Sequence, residues 1–488
     1  MEPLAAIDAA FLSLETPTTP MHVGVVLVLD PPEGTRSLFS PTTRDAQIRR
    51  TISQRLHLVA PLRQRALRVP LGLHHPVWVD DPDFDLDDHL MRASLPSPGG
   101  PAELHTFVAS VMGRQLDSDR PLWEMYVVEG LAEGRTALIA KVHHAILDGV
   151  SGASILAAFL DLTPRSRVVS LPPVWDPSPL PGTAELLRYA AGSLTHQPRA
   201  ALSTWRAGVE AVADLGTHNR ELSGRGEESP PGFFSAPRTV LNGAVSNRKA
   251  FATASVPLAD AKLVRRIFEC TVNDVILAGV AGGLRQYLLG RDELPEAPLV
   301  AMVPVSTRGP EDAPDGTGGV SAQAPGNQVS GMLVSLATDE PSPVHRLDAI
   351  AESSRVAKEQ EQLHRGRFVG DLAQVIPPAL TSRAARAVAG TRLFDHMAPP
   401  FNVTVSGVKG PAFPLFCAGS HVSSMYPVGP LAEGVGINVT IFSYLDRLYF
   451  GLLACRKMVP DLSKLATLME DALGELVGCA LEAQGQAG

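Results

Sequence analysis

The nine residues KVHHAILDG (141–149) close an apolar run with two adjacent histidines and set Asp148 and Gly149 a fixed distance beyond them. A neutral imidazole, with an unperturbed pKa near 6.5, can take a proton at physiological pH and hand it back. If 136–144 is a strand, its side chains alternate between faces. Leu138, Ala140, Val142 and His144 then share one face, and Ala137, Ile139, Lys141 and His143 the other. The two imidazoles point apart, which counts against one metal ion held by both and suits general-base work by one of them. Asp148-Gly149 fits a tight turn, because glycine tolerates backbone conformations other residues resist; the carboxylate can anchor an arginine or backbone amides. Ser151 or Gly152 opens the next helix, so that amide donors point back toward the turn. A plainer reading stands beside this one: a buried, hydrogen-bonded histidine pair followed by an ordinary Asp-Gly turn. The whole HHxxxDG spacing on a strand–loop–helix background favours chemistry.

The elements that must hold this turn are legible around it. VGVVLVLD (23–30) reads as a strand, 43–57 as a helix, 76–90 as a strand running into an acidic loop, and 103–116 as a second helix. MYVVEGL and RTALIAKVHH flank AEG in a hairpin pattern, and ASILAAFLDL continues as a helix stopped at Thr163-Pro164. Two stretches rich in Pro, Gly and Ser, 164–182 and 223–237, bracket a helical segment over about 183–221. The second half repeats the mixed texture: strand 249–256, helices 259–267 and 272–289, strand 299–305. The expectation is three parts: a first domain over 1–165 carrying HHxxxDG, a Pro-rich linker with its own helix over 166–237, and a second domain over 238–488.

A chain of 488 residues is too long for one ordinary core. The net charge of −9 makes nucleic acid an unsuitable partner. Four cysteines at wide spacing, without CxxC, suggest neither a zinc site nor a disulfide framework. The opening MEPLAAIDAAFLSLE carries acids where a signal peptide needs a basic end, and no run of apolar residues is long enough to span a membrane. A cytoplasmic protein is expected.

HHxxxDG is the signature of the coenzyme-A-dependent acyltransferase superfamily, and further stretches narrow the likeness. IDAAFLSLETPTTPMHVGVVLVLD (7–30), PLWE (121–124), TVNDVILA (271–278), MVPVSTR (302–308), GNQVS (326–330), FNVTVSGVKGP (401–411) and YPVGPLAEGVGINVTIFSYLDRLYFGL (426–452) occur in order. Over nearly its whole length the chain resembles the bacterial wax ester synthase/diacylglycerol acyltransferases. The resemblance implies an α/β fold of two chloramphenicol-acetyltransferase-like domains with the active site at their interface. It implies His144 as the catalytic base, His143 in support, Asp148 as scaffold of the loop and Gly149 as the residue that permits it. Asn273 and Asp274 match a second motif at a helix start, where capping alone is an equally good reading. Pro121, Leu122 and Trp123 match a third, an apolar cluster by an acyl channel; Arg308 is a weaker match, for a phosphate or carboxylate.

The implied reaction takes an acyl group from acyl-CoA, a co-substrate, with no bound cofactor and no metal. The acceptor would be the hydroxyl of a diacylglycerol, giving triacylglycerol as storage lipid, or of a fatty alcohol, giving a wax ester. The absence of GxSxG leaves no lipase-type nucleophile. Two departures bear on substrate preference: Gly407 and Lys409 stand where the family pattern has Asn and Pro, and Ala454-Cys455-Arg456 where it often has an acid. Lipid substrates point to peripheral work at a membrane or lipid-droplet face. Residues 379–394, with Arg383, Arg386 and Arg392, and the segment 184–215, with Leu186, Leu187, Leu194, Leu202 and Trp205, are the amphipathic stretches that could serve, although an ordinary amphipathic helix facing the core is the favoured reading of each. The alternatives are a relative that draws its acyl group from a carrier protein and a non-catalytic lipid binder.

Overall fold

The computed structural model describes residues 1–31, 41–148, 152–171, 174–196, 231–232, 234–306, 329–364 and 398–487. Arg308, Leu202, Trp205 and the stretch 379–394 therefore lie outside the described residues, as do Gly149, Ser151 and the Asp148 side chain. In chain order the elements used below are α1 (Ala6–Leu14), β1 (His22–Leu29), α2 (Pro41–Arg55), β2 (Leu90–Ser94), α3 (Pro101–Met112), β3 (Trp123–Glu129), β4 (Thr136–His143), α4 (Gly152–Phe159) and α5 (Thr183–His196). After these come β5 (Lys249–Pro257), α6 (Leu258–Ile267), α7 (Val272–Leu289), β6 (Val300–Ser306), β7 (Val329–Ser335) and α8 (Pro343–His364). The chain continues with β8 (Val403–Val408), β9 (Phe416–Cys417), β10 (Ser420–Val428), β11 (Ile437–Tyr444), β12 (Arg447–Cys455) and α9 (Leu462–Ala487).

Two six-stranded mixed sheets organise the molecule, in the orders β9-β10-β1-β4-β3-β2 and β7-β6-β8-β11-β12-β5. The expected hairpin forms: β3 and β4 pair antiparallel, with Trp123 opposite Val142. Beyond it β4 pairs with β1, His22 opposite His143. The outer edge of the first sheet is not built by the first half at all. Strand β10, more than two hundred residues further on, lies antiparallel to β1 with Met425 opposite Leu27. Two strands of the first sheet thus come from beyond residue 237, and no single cut of the chain separates the sheets.

Side-chain alternation along the central strands buries both faces. Val26, Ala137 and Ile139 join one core with Phe251, Val275, Leu277 and Phe450 of the second half, while Leu27, Leu29, Leu138 and Val142 join another with Ile48, Trp123 and Met425. Where β10 leaves the first sheet and crosses β12, backbone meets backbone. A Cβ on Gly451 would fall 1.7 Å from the Pro427 carbonyl oxygen, so only glycine fits.

Helix α5 packs in the ordinary way at its start: Leu186 is buried in a small cluster with Val77 and Val79, on a minor three-stranded sheet, as a core-facing amphipathic helix requires.

At the far end of α4, Arg55 Nη2 donates to both carboxylate oxygens of Asp161 at 2.9 Å, and its Nη1 to the Phe159 carbonyl. Asp161 also exchanges backbone hydrogen bonds with Phe416 of the second half. Both charges are 2% exposed. Removing one leaves the other buried and unpaired, so Asp161→Ala should cost about 3–5 kcal/mol. Urea unfolding monitored by circular dichroism measures it; a midpoint unchanged from wild type would contradict the role given to the pair.

Candidate active site

Strand β4 ends at His143, one residue earlier than the alternation pattern suggests, and His144 opens a 3-10 turn that runs to Asp148. Neighbours on either side clamp the backbone of the pair. His143 N–H donates to the Leu122 carbonyl and His144 N–H to the Met21 carbonyl, each at 2.9 Å. Pro121, Leu122 and Trp123 are all buried, so this triplet sits directly behind the histidines. The indole is an anchor: Trp123 Nε1 donates to Leu62 O at 2.7 Å, and the ring stacks on His89, itself held through Nδ1 at 2.8 Å from the Trp123 carbonyl oxygen.

The two imidazoles have different neighbours. The His144 ring stacks on Phe11 of α1, centroids 4.0 Å apart. The His143 ring is buried; its Nδ1 accepts from the Ala145 N–H at 3.1 Å, which fixes the first residues of the turn. An accepting Nδ1 puts the ring hydrogen on Nε2, 3.8 Å from a carboxylate oxygen of Glu15. The other Glu15 oxygen is 3.2 Å from His22 Nε2. Burial holds His143 down to about 3, against the opposing pull of Glu15. His22 is also held well below its ordinary value, first by burial and then by Lys141. Both rings are neutral at physiological pH.

Lys141 shares the His143 face and is fully buried. Its Nζ donates to the Arg114 carbonyl at 2.6 Å and lies 3.4 Å from Glu124, which in turn accepts from Tyr126 OH. Glu15, His22, Lys141 and Glu124 were not singled out in the sequence. One signal was available: a lysine and a histidine on a strand face otherwise made of Ala137 and Ile139 must find buried polar partners.

The loop 16–20 between α1 and β1 is tied to the other half of the molecule. Lys249 Nζ donates to the Thr18 carbonyl at 2.6 Å, and Thr19 Oγ1 to Glu433 at 3.2 Å. Desolvation lowers the Lys249 ammonium to about 8.

The second motif has a plain structural part. Thr271, not Asn273 or Asp274, is the N-cap of α7, and Asp274 is the reciprocating residue of a capping box. Asp274 Oδ2 accepts from Thr271 N–H at 2.9 Å and Oγ1–H at 2.6 Å. Asn273 faces Gly407, where a Cβ would lie 3.5 Å from its Oδ1. The asparagine expected at 407 would thus stand against Asn273, and glycine opens that contact; Lys409 is exposed. Cys455 is buried in β12 with its Sγ 3.3 Å from both the amide and the hydroxyl of Ser246.

Residues 4–276 match the model described as "Wax ester synthase/diacylglycerol acyltransferase catalytic domain", and residues 325–477 that of the "WS/DGAT C-terminal domain". The chain belongs to this family. Two Mycobacterium tuberculosis proteins, named as candidate diacylglycerol O-acyltransferases, are 36% identical over 92% of this chain and 91% of theirs, and 34% identical over 98% and 91%. The solved wax ester synthase/diacylglycerol acyltransferase of Marinobacter aquaeolei is 31% identical, superimposes with a TM-score of 0.67, and is covered over 99% of its length by 98% of this chain. The first condensation domain of the calcium-dependent antibiotic synthetase, at 15% identity and a TM-score of 0.50, shares the fold. The expected two-domain acyltransferase fold is therefore the one present, and the protein is a WS/DGAT acyltransferase.

The neutral state of His143 carries a stability signature. Its folded-state pKa, about 3, lies below the ordinary 6.5 of an unfolded chain. Between these values the unfolded form binds a proton that the folded form refuses. Stability is therefore lost as pH falls from 6.5 toward 3, by about 1.4 kcal/mol per pH unit. His143→Asn keeps an acceptor for the Ala145 amide but cannot titrate. Urea midpoints between about pH 7 and pH 5 should fall less steeply for this variant, by about one proton; parallel slopes would contradict the assignment.

Proposed function

We propose that this acyltransferase moves a long-chain acyl group from acyl-CoA to the hydroxyl of a diacylglycerol, forming triacylglycerol, and accepts fatty alcohols in the same way to form wax esters. The observation that carries the reading is the placement of His144. It heads the turn, its backbone N–H is bonded to Met21 just before β1 and its ring leans on Phe11, while burial keeps the neighbouring His143 neutral. An imidazole held in position beside a scaffold imidazole suits general-base transfer.

In this mechanism His144 takes the acceptor's hydroxyl proton as the oxygen attacks the thioester carbonyl. The tetrahedral adduct collapses by breaking the C–S bond. The leaving CoA thiolate receives the proton from the His144 imidazolium, which restores the base. No acyl-enzyme intervenes. Asn273, beside Gly407, is the residue at which acceptor or donor preference would differ from relatives carrying a larger side chain at 407.

Release of free CoA from palmitoyl-CoA tests the reaction, with a diacylglycerol, hexadecanol or no acceptor. Acceptor-dependent release that falls roughly 10²–10⁴-fold in His144→Ala is expected. Release that needs an acyl-carrier protein as donor would replace this reading with the carrier-dependent one. No release with any donor from folded protein would leave a lipid binder.

Work at a lipid surface follows from such substrates. Among the described residues no single helix is long and apolar enough to cross a membrane. The segment after α4 instead turns apolar side chains outward: Val168, Leu171 and Val174 are 99%, 91% and 92% exposed, with Arg165 close by in sequence. Aliphatic side chains flanked by a cation suit shallow insertion among anionic lipid headgroups. Replacing all three by serine should weaken co-sedimentation with vesicles containing phosphatidylglycerol by roughly tenfold. Undiminished co-sedimentation would remove this segment from the contact.

A further inference from the structure

The first helix of the chain touches both histidines of the motif, one helical turn apart. At its end the Glu15 N–H donates to the Phe11 carbonyl at 3.2 Å, so the two side chains leave the last turn of α1 in a fixed relation. The Glu15 carboxylate lies against His22 and His143, and the Phe11 ring against His144, with an interplanar angle of 28°. Loop 16–20, which follows, is pinned by Lys249 from the second half. Nothing in the motif HHxxxDG itself supplies this helix. It is brought to the turn by the fold.

A phenyl face stacked on an imidazole does two things. It restricts the ring to one orientation, and it treats the ring's two charge states differently. The negative face of the π-system attracts a cation within about 6 Å, and the attraction grows when water is excluded. Neutral His144 gains packing from Phe11; the imidazolium gains packing and charge stabilisation. The imidazolium is the form that appears during proton transfer.

We infer that Phe11 is a positioning residue for the base, which aims the His144 ring and stabilises the imidazolium as the acceptor's proton moves onto it. This rests on the reading of His144 as the general base. Among the described residues, the charged and titratable groups on the elements around the turn are Asp8 on α1, Glu15 at its C-cap, His22 on β1, Lys141 and His143 on β4, and Arg68, whose charge reaches His143. All of them remain when Phe11 alone is changed.

The test compares Phe11→Leu and Phe11→Met, which lose the ring, with Phe11→Tyr, which keeps it, using palmitoyl-CoA and a diacylglycerol. Thermal melting of each variant establishes folding, and methionine, unbranched and able to fill an irregular gap, keeps the comparison open if the leucine variant does not fold. The ring-less variants should lose roughly 3- to 30-fold in kcat with KM nearly unchanged. The acid limb of their kcat/KM profile should move to lower pH, because a less stabilised imidazolium forms less readily. Phe11→Tyr should stay close to wild type in both. A ring-less variant with wild-type kcat and an unmoved acid limb overturns the inference, as does an equal loss in Phe11→Tyr. His144→Ala, run alongside, separates the two readings: if it stays active the base assignment fails, whereas if it is inactive while Phe11→Leu is unimpaired, only the role of Phe11 fails.

Discussion

The antiparallel pairing of Ser420–Val428 with His22–Leu29 is the constraint on which the rest of the molecule depends. Without that strand, β1 is an edge; with it, β1 is interior, and β1 supplies both the carbonyl of Met21 at its entry and the His22 ring. The same crossing forces the backbone contact at Gly451 and merges apolar residues from both halves into one core. The histidine pair therefore sits where the chain has committed its most distant pairing, a place that exists only when the whole chain is folded.

Within that frame the active-site turn is held by an unusual concentration of buried polar groups. Glu15, His22, Lys141 and His143 lie within one neighbourhood. Desolvating such groups is unfavourable, and the arrangement offsets this in two ways. The histidines remain uncharged, and the lysine donates to a backbone carbonyl as well as approaching Glu124. Burial thereby holds His143 in its uncharged form. Loop 16–20 joins this cluster to Lys249 and Glu433, so the second half reaches the histidine turn through polar contacts.

Much of this was legible in the sequence, and the exceptions share a cause. Short-range patterns placed the β3–β4 hairpin and α7, because neighbours in sequence decide these features, while the alternation ran one residue too far, His144 leaving the strand for the 3-10 turn. The family likeness supplied what pattern alone does not, the two-domain acyltransferase fold. What escaped was set by distant partners. Nothing local to YPVGPL announces that its preceding strand belongs to the first sheet. Nothing local to FLSLE shows that Phe11 and Glu15 meet His144, His143 and His22. The partners of Leu186, Val77 and Val79, lie a hundred residues away and could not be named from its own segment. The capping assignment moved from Asn273 and Asp274 to Thr271 for a local reason: a threonine three residues before an aspartate forms a reciprocal pair, a pattern present in TVND.

The late return of β10 also bears on what happens when synthesis stops early. A product ending before residue 414 would contain the histidine motif, the hairpin and most of the second sheet. It would also leave HVGVVLVL, a run of β-branched and aliphatic residues with no charge, as an open sheet edge. Such an edge is a template for pairing with another copy of itself. A nascent or prematurely terminated chain is for this reason a self-associating species, not a smaller acyltransferase. During translation the first sheet waits, with its stickiest strand uncovered, for a segment that emerges long after its partner strands.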